Sequence, residues 1–173
     1  MARVFVGVGS NLRPEENVRE ALRLLAREVR LAAVSTVYRT PALDRPNQPL
    51  FYNCVVEIET EMPPEELKRS VLRRIEEELG RVRGEDKYAP RTVDLDLLVY
   101  GDLVASSDDV VIPDPEIARR PFLAIPLAEL APDLELPGAG RRLREIAAEL
   151  ASREMEPLAD YTAALRREIE DER

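Results

Sequence analysis

The sequence predicts an α+β domain in which helices lie on both sides of an antiparallel sheet. Its 173 residues fit a single domain, and 45% of them are hydrophobic, which is enough for a core. Residues 1–100 alternate between β-rich runs and helical spacing in the order β-α-β-β-α-β. No apolar run approaches the ~18 residues that span a bilayer. The N-terminus lacks a signal-peptide pattern, so we expect a cytoplasmic protein.

Turn residues and apolar spacing define the predicted elements. β-branched and alternating runs indicate strands over residues 4–9, 31–40, 52–60 and 93–100. Apolar residues at helical spacing predict helices over residues 14–28 and 64–79, the second ended by Gly80. After residue 100 the patterns predict a hairpin around 106–109, proline-rich segments over 113–137, and helices at 143–150 and 161–169.

This order of elements is the ferredoxin-like split β-α-β pattern. We expect one domain over residues 1–157. The extension over residues 158–173 is expected to form a helix that packs on this domain or frays.

Composition excludes several classes of chemistry. The chain has no histidine and one cysteine, Cys54, so Ser-His-Asp and Cys-His catalysis and His/Cys zinc sites are excluded. Any metal ion must be held by oxygen ligands, which favours Mg²⁺ or Mn²⁺. The net charge of −9 argues against non-specific binding of nucleic acid, which needs a basic surface.

Two aspartates on the fourth predicted strand are the first candidates for chemistry. Asp94 and Asp96 are two residues apart, so both carboxylates lie on one face of the strand, about 6–7 Å apart. Such a pair can hold Mg²⁺ ions that bridge to phosphates. The preceding loop carries Arg81, Arg83 and Arg91, whose guanidinium groups suit phosphate oxygens. The alternative is a half-exposed strand and a solvated basic loop.

Five ordered motifs resemble one family. They are V-G-S-N-L at 8–12, Y-R-T-P at 38–41, F-Y-N at 51–53, G-R-V-R at 80–83 with Y-A-P-R-T-V-D-L-D-L-L-V-Y-G at 88–101, and R-R-P-F at 119–122 followed by P-L at 126–127. Over about residues 3–137 the chain resembles the 6-hydroxymethyl-7,8-dihydropterin pyrophosphokinases of folate biosynthesis.

The resemblance implies that pyrophosphate passes from ATP to the pterin hydroxymethyl group, with release of AMP. It implies two Mg²⁺ ions on Asp94 and Asp96, and it places the catalytic groups at Arg81, Arg91, Asp94 and Asp96. The residues implied for ATP are Glu76, Arg81, Arg83, Tyr88, Arg91, Leu97 and Arg120. Those implied for the pterin are Thr40, Pro41, Leu43, Phe51, Asn53 and Phe122, the two phenylalanines sandwiching the ring. We expect a monomer whose partners are these two small molecules, without nucleic acid or membrane.

The chain departs from the family pattern after the hairpin. Asp114 stands where the family has a histidine that contacts ATP, Asp109 stands where some members have a basic residue, and Tyr88 stands where tryptophan is common. A carboxylate at position 114 would repel phosphate. The alternative function is therefore a catalytically impaired homologue that binds pterin or nucleotide. An RNA-binding module and a nucleotide-sugar transferase are further alternatives, and the identity of a general base stays open.

Overall fold

A six-stranded sheet forms the centre of the fold. The structure is a computed structural model that describes residues 1–41, 47, 49–80, 92–151 and 154–171. The strands of this sheet are β1 (Ala2–Ser10), β2 (Arg30–Val34), β3 (Tyr38–Thr40), β4 (Phe51–Thr60), β5 (Asp94–Tyr100) and β8 (Glu156–Pro157). Their order is β5-β1-β4-β3-β8, β2 also pairs with β4, and every pairing is antiparallel. A separate hairpin joins β6 (Ala105–Ser106) to β7 (Val111–Ile112).

Helices lie on both faces of the sheet. They are α1 (Pro14–Glu28), α2 (Pro64–Glu66), α3 (Arg73–Glu78), α4 (Pro121–Leu130), α5 (Leu143–Glu149) and α6 (Ala159–Asp171). A π-helical segment, Leu67–Leu72, joins α2 to α3, and a 3₁₀ helix, Pro115–Ala118, precedes α4. None of the helices in the described ranges is long and apolar enough to cross a membrane.

Each face of the sheet has its own core. The main core joins one face to α1, to the α2–α3 helix and to Leu165 and Ile169 of α6. The second core joins Phe5, Val55 and Leu98 on the opposite face to α4 and α5. The predicted α+β class, with helices on both sides of an antiparallel sheet, is confirmed. The predicted helix over 14–28 and the positions of the four predicted strands are also confirmed, except for the extent of the strand predicted over 31–40.

One strand prediction was wrong in its extent, and one helix was not predicted. The run at 31–40 is two strands, because the N–H groups of Thr36 and Val37 bond away from β4, to Glu129 and Thr162 respectively. The proline-rich region 113–137 contains α4, which begins at Pro121, where the ring suits the first helical turn. Pro126 lies inside that helix, so proline count alone is a poor guide to its structure.

The C-terminal extension is packed against the domain. Residues 159–171 form α6, and Leu165 and Ile169 are 0% and 6% exposed in the main core. The side chain of Arg19 on α1 forms an ion pair with Glu168 at 2.7 Å. The helix α6 thus buries apolar side chains along most of its length.

Candidate functional site

The two aspartates lie on β5, next to β1. Asp96 pairs with Gly7 and Asp94 with Gly9 in the antiparallel register, and both carboxylates are half-buried. The neighbours Val93, Leu95 and Leu97 point to the main core and are at most 7% exposed. The prediction that the carboxylates share the face opposite these apolar residues is confirmed.

A bulge divides this face of β5 into a polar and an apolar part. The register with β1 shifts between Phe5 and Val6, so that Leu97 pairs with Val6 and Val99 with Phe5. As a result, both Leu98 and Val99 enter the second core. The polar part therefore begins where α4 and α5 stop covering the strand.

Gly9 provides space for an amide on the neighbouring strand. A Cβ at position 9 would lie 2.6 Å from Asn53 Oδ1 and 3.8 Å from Phe51 Cδ1. Asn53 Nδ2 donates a hydrogen bond to Thr40 Oγ1 at 2.8 Å, and both residues are at least nine-tenths buried. A glycine on β1 thus lets a hydrogen-bonded amide approach the sheet on the face that carries Asp94.

Two aromatic rings lie on the same side of the sheet. Phe51 begins β4, and its ring approaches the site of Gly9. Phe122 is in the first turn of α4, packs against the second core and is half-buried. Pro41 directly follows β3 and is exposed. The strands and helix that border the polar part of the face thus carry Thr40, Phe51, Asn53 and Phe122, and Pro41 directly follows one of these strands.

Ser10 joins the ends of β1 and β5. Its hydroxyl is fully buried and contacts the backbone carbonyls of Thr92 and Leu12. Asn11 is also buried, and its side-chain amide donates to Pro49 O at 3.4 Å. These contacts join the end of β1 to the backbone just before Asp94 and to the approach to β4.

Glu76 holds the backbone between the two aspartates. It lies on α3, is 4% exposed, and its Oε2 accepts a hydrogen bond from the Leu95 N–H at 2.9 Å. A buried carboxylate that accepts a backbone N–H is a strong, directional contact. This contact ties β5 to the helix beneath it.

A cleft of about 320 Å³ opens beside Asp96 at the edge of β5. It is lined by the backbone and side chains of Lys68, Leu95, Asp96, Leu97, Ser107, Asp108, Asp109, Val110, Val111, Asp114 and Pro115. The Lys68 ammonium donates to the Asp109 carbonyl oxygen, so the π-helical segment is joined to the loop between β6 and β7. Leu97, predicted to contact ATP, is thus in a cleft of suitable size for part of a nucleotide.

Asp114 caps the 3₁₀ helix at the rim of this cleft. Its Oδ1 accepts a hydrogen bond from the Glu116 N–H at 2.9 Å. Burial raises the pKa of the Asp114 carboxyl above its ordinary value, and the Glu116 N–H bond partly opposes that shift. Asp114 therefore has a local structural role as the N-cap of the 3₁₀ helix.

Arg120 is held by an ion pair in this structure. Its Nε lies 2.7 Å from Glu116 Oε2, one helical turn earlier, and the side chain is 32% exposed. This contact engages one of the five N–H donors of the guanidinium, and the Nη donors suit phosphate oxygens.

Several predicted residues lie outside the described part of the chain: Leu43, Arg81, Arg83, Tyr88 and Arg91. Lys68 and the role of Gly9 were not predicted from the sequence. A glycine inside a β-rich run was the available signal for Gly9, because such a glycine often marks a close approach. Nothing in the local sequence distinguished Lys68 from a solvated helix residue.

The aspartate pair suits Mg²⁺ by its chemistry. Among the described residues, no group of three or more His, Cys, Asp or Glu side chains could hold a metal ion. Mg²⁺ commonly takes only one or two protein carboxylates and completes its shell with waters and substrate phosphates. Two half-buried carboxylates on one strand face fit that requirement, whereas a zinc site would need further ligands.

The fold is ferredoxin-like, and the comparisons with known proteins identify the class as a small-molecule pyrophosphokinase. Residues 5–132 match the family described as 7,8-dihydro-6-hydroxymethylpterin-pyrophosphokinase (HPPK), and the chain belongs to that family.

The chain is also similar to individual members. It is 42% identical over 149 residues to the 2-amino-4-hydroxy-6-hydroxymethyldihydropteridine pyrophosphokinase of Pseudomonas aeruginosa, covering 84% of this chain and 90% of that protein. It is 37% identical over 142 residues to the enzyme of the same name from Haemophilus influenzae, covering 80% and 88%. The crystal structure of a Plasmodium falciparum HPPK-DHPS mutant has the same fold, with a TM-score of 0.67 and 14% identity. That match covers 88% of this chain and 44% of the other.

Proposed function

We propose that this protein transfers the pyrophosphoryl group of ATP to the hydroxymethyl group of 6-hydroxymethyl-7,8-dihydropterin and releases AMP. Family membership supports the reaction. The observation that carries the site assignment is the polar part of one sheet face, where Asp94 and Asp96 pair with Gly9 and Gly7 beside Asn53. Cytoplasmic location and a monomeric state stay predictions from the sequence.

The pterin is proposed to bind beside Asn53. The heterocycle has flat faces and an edge of donors and acceptors. The Asn53 amide, fixed by Thr40, suits that edge, and Phe51 and Phe122 suit the faces. Because Asn53 is nine-tenths buried and already oriented, little side-chain entropy is lost on binding. Pro41 and Leu43 are proposed to complete this pocket through backbone groups.

ATP is proposed to bind between the cleft and the aspartates. The cleft beside Asp96 accepts the nucleoside portion near Leu97, so that the phosphates extend along Asp94 and Asp96. Glu76 would act by holding the β5 backbone through Leu95 N–H, and Arg120 by donating from its Nη atoms to a phosphate. Arg81, Arg83, Tyr88 and Arg91 are proposed to cover the phosphates.

The transfer needs in-line attack at the β-phosphorus. The pterin hydroxymethyl oxygen forms a bond to that phosphorus, the bond to the oxygen bridging to the α-phosphorus breaks, AMP leaves with the electron pair, and the hydroxyl proton is released. Mg²⁺ held by Asp94 and Asp96 would neutralise charge on the phosphates and lower the pKa of the attacking hydroxyl. The two carboxylates position the reacting groups, and Asn53 orients the pterin so that its hydroxymethyl arm points to them.

The test is product formation with matched variants. The protein is incubated with Mg²⁺, ATP and 6-hydroxymethyl-7,8-dihydropterin, and AMP and the pterin diphosphate are measured by mass spectrometry. Asp96→Ala should abolish product, while Asp102→Asn, an exposed aspartate just after the same strand, should leave it unchanged. Product from Asp114→His but not from the wild type would support the impaired homologue. Absence of product from both would contradict the proposed activity.

A further inference from the structure

The sheet is interrupted between β2 and β3. At the first residue of the break, Ser35 N–H donates to Val55 O and Ser35 Oγ accepts from Val55 N–H, both at 2.9 Å. The serine side chain therefore replaces one backbone partner of β4. The two following residues, Thr36 and Val37, direct their N–H groups away from β4.

The C-terminal segment supplies partners for this break. Val37 N–H donates to Thr162 Oγ1 at 2.9 Å, and Val37 O accepts from Leu158 N–H at 2.8 Å. The Thr162 hydroxyl in turn donates to Leu158 O at 2.8 Å and is 3% exposed. β8 extends the same contact, because it pairs with β3 from Tyr38 to Arg39. Residues 156–162 thus replace the ladder that the break removes.

Arg166 connects the break to α4. Its Nε and Nη2 donate to Val34 O at 3.0 and 2.8 Å, and Nη2 also lies 3.5 Å from Glu129 Oε2. That same carboxylate oxygen accepts the Thr36 N–H at 2.6 Å. One network therefore joins α6, the break in the sheet and the C-terminal end of α4.

The helix α6 is itself anchored firmly. The Tyr161 hydroxyl donates to Glu15 O at 2.8 Å, and its ring packs on Tyr52 with centroids 5.4 Å apart. Leu165 is fully buried in the main core. A helix fixed to α1 and to the core is able to hold the interruption of the sheet in place.

The two elements that meet at this network also form the two sides of the proposed pterin pocket. β3 ends at Thr40, which accepts the Asn53 hydrogen bond, and α4 begins beside Phe122. Phe122 lies seven residues from Glu129, about 10 Å along the helix. A displacement of Glu129 relative to Thr36 would therefore change the distance between Thr40 and Phe122.

We propose that α6 is a positioning element for the pterin pocket, acting through Arg166 and Thr162 to fix β3 against α4. This inference rests on the proposed function for the identity of the ligand. It assigns a role to a segment beyond residues 5–132, the part of the chain that matches the family. Arg166 and Thr162 touch neither substrate, so their effect is on the geometry of the pocket.

The test compares two ligands on the wild type and five variants. Arg166→Met and Thr162→Val remove the contacts to the break. Arg167→Met is the matched control, because Arg167 is the exposed neighbour on the same helix. Ile146→Val, in the second core on α5, controls for lost stability. Binding of 6-hydroxymethylpterin and of α,β-methylene-ATP with Mg²⁺ is measured by calorimetry.

We expect Arg166→Met and Thr162→Val to weaken pterin binding about tenfold, because each leaves backbone groups of the break without a partner. Binding of the ATP analogue should be unchanged, and Arg166→Lys should restore part of the pterin affinity. Arg167→Met and Ile146→Val should bind both ligands as the wild type does. Equal weakening of both ligands, or wild-type pterin affinity in both variants, would overturn the proposal.

Amide hydrogen exchange, measured without ligand, tests the coupling of α6 to β3 and α4 independently of the proposed function. Arg166→Met should speed exchange at Tyr38 and Thr40 and at the start of α4. If the wild type binds no pterin, the proposed function fails, and faster exchange at both elements still supports the coupling. Unchanged exchange at β3 and α4 would overturn the coupling whichever ligand binds.

Discussion

The two faces of the sheet are built differently although they share the same strands. The face toward α1, the α2–α3 helix and α6 is apolar along its length. The opposite face is apolar only where α4 and α5 cover it, and then changes to Gly9, Asn53, Asp94 and Asp96. One face therefore supplies stability, and the other combines stability at one end with chemistry at the other. The bulge between Phe5 and Val6 marks the change.

The largest expected effect comes from a substitution at the polar end of the face that α4 and α5 partly cover. Asp96→Asn should lower kcat by about a thousandfold, because the site loses a charge that holds the metal ion and phosphates. The stability of this variant should match that of the wild type. Steady-state kinetics and thermal unfolding measure both effects.

Its counterpart on the same face is Leu98→Ala. Leu98 is fully buried in the second core, so this change should cost about 2–5 kcal/mol of unfolding free energy. The folded fraction should keep its turnover number. A large loss of stability in Asp96→Asn, with activity per folded molecule retained, would contradict the division of this face.

The second prediction concerns the two glycines of β1 on this face. Gly9→Ala should weaken pterin binding about tenfold to a hundredfold, because its Cβ would lie 2.6 Å from Asn53 Oδ1. Gly7→Ala is the matched control, since its Cβ would meet the Leu123 side chain at 3.2 Å, which can shift. Calorimetry with 6-hydroxymethylpterin compares the two. Equal affinities would show that Asn53 does not depend on Gly9.

The third prediction tests the support of β5 from the other face. Glu76→Leu should destabilise the fold by about 1–3 kcal/mol, because the Leu95 N–H loses its buried acceptor. It should also lower kcat by disturbing the strand between the two aspartates. Glu76→Gln keeps an acceptor oxygen and should recover most of the loss. If Gln and Leu behave alike in chemical denaturation, the hydrogen bond is not the cause.

The smallest expected effect is the pH dependence contributed by Asp114. Burial raises the pKa of Asp114 in the folded state, so the folded protein binds this proton more tightly than the unfolded chain does. The unfolding free energy of the wild type therefore falls as the pH rises from the ordinary pKa of the carboxyl through its raised pKa in the folded state. Asp114→Asn keeps an acceptor for Glu116 N–H and should be slightly more stable at pH 7. The difference in stability between Asp114→Asn and the wild type should vanish below about pH 3.9, the ordinary pKa of an aspartate carboxyl. Denaturation at both pH values checks this, and a constant difference would contradict it.

Much of this arrangement could be predicted from the sequence. Period-two alternation predicted that Asp94 and Asp96 lie on one face of the strand and Leu95 and Leu97 on the other, because successive side chains of a regular strand point to opposite faces. The break at Ser35–Val37 could not be predicted, since its partners Thr162 and Glu129 are distant in sequence. The helix α4 was missed because proline usually ends helices, although Pro121 suits the first turn. The role of Gly9 required the position of Asn53 on the neighbouring strand.

The most direct test of the central claim is which phosphorus of ATP is attacked. ³¹P NMR of a reaction with Mg²⁺, ATP and 6-hydroxymethyl-7,8-dihydropterin distinguishes the products. We expect AMP and a pterin diphosphate in equal amounts, formed by the wild type and not by Asp96→Asn. Formation of ADP with a pterin monophosphate, or release of phosphate without a pterin product, would contradict the proposed pyrophosphoryl transfer.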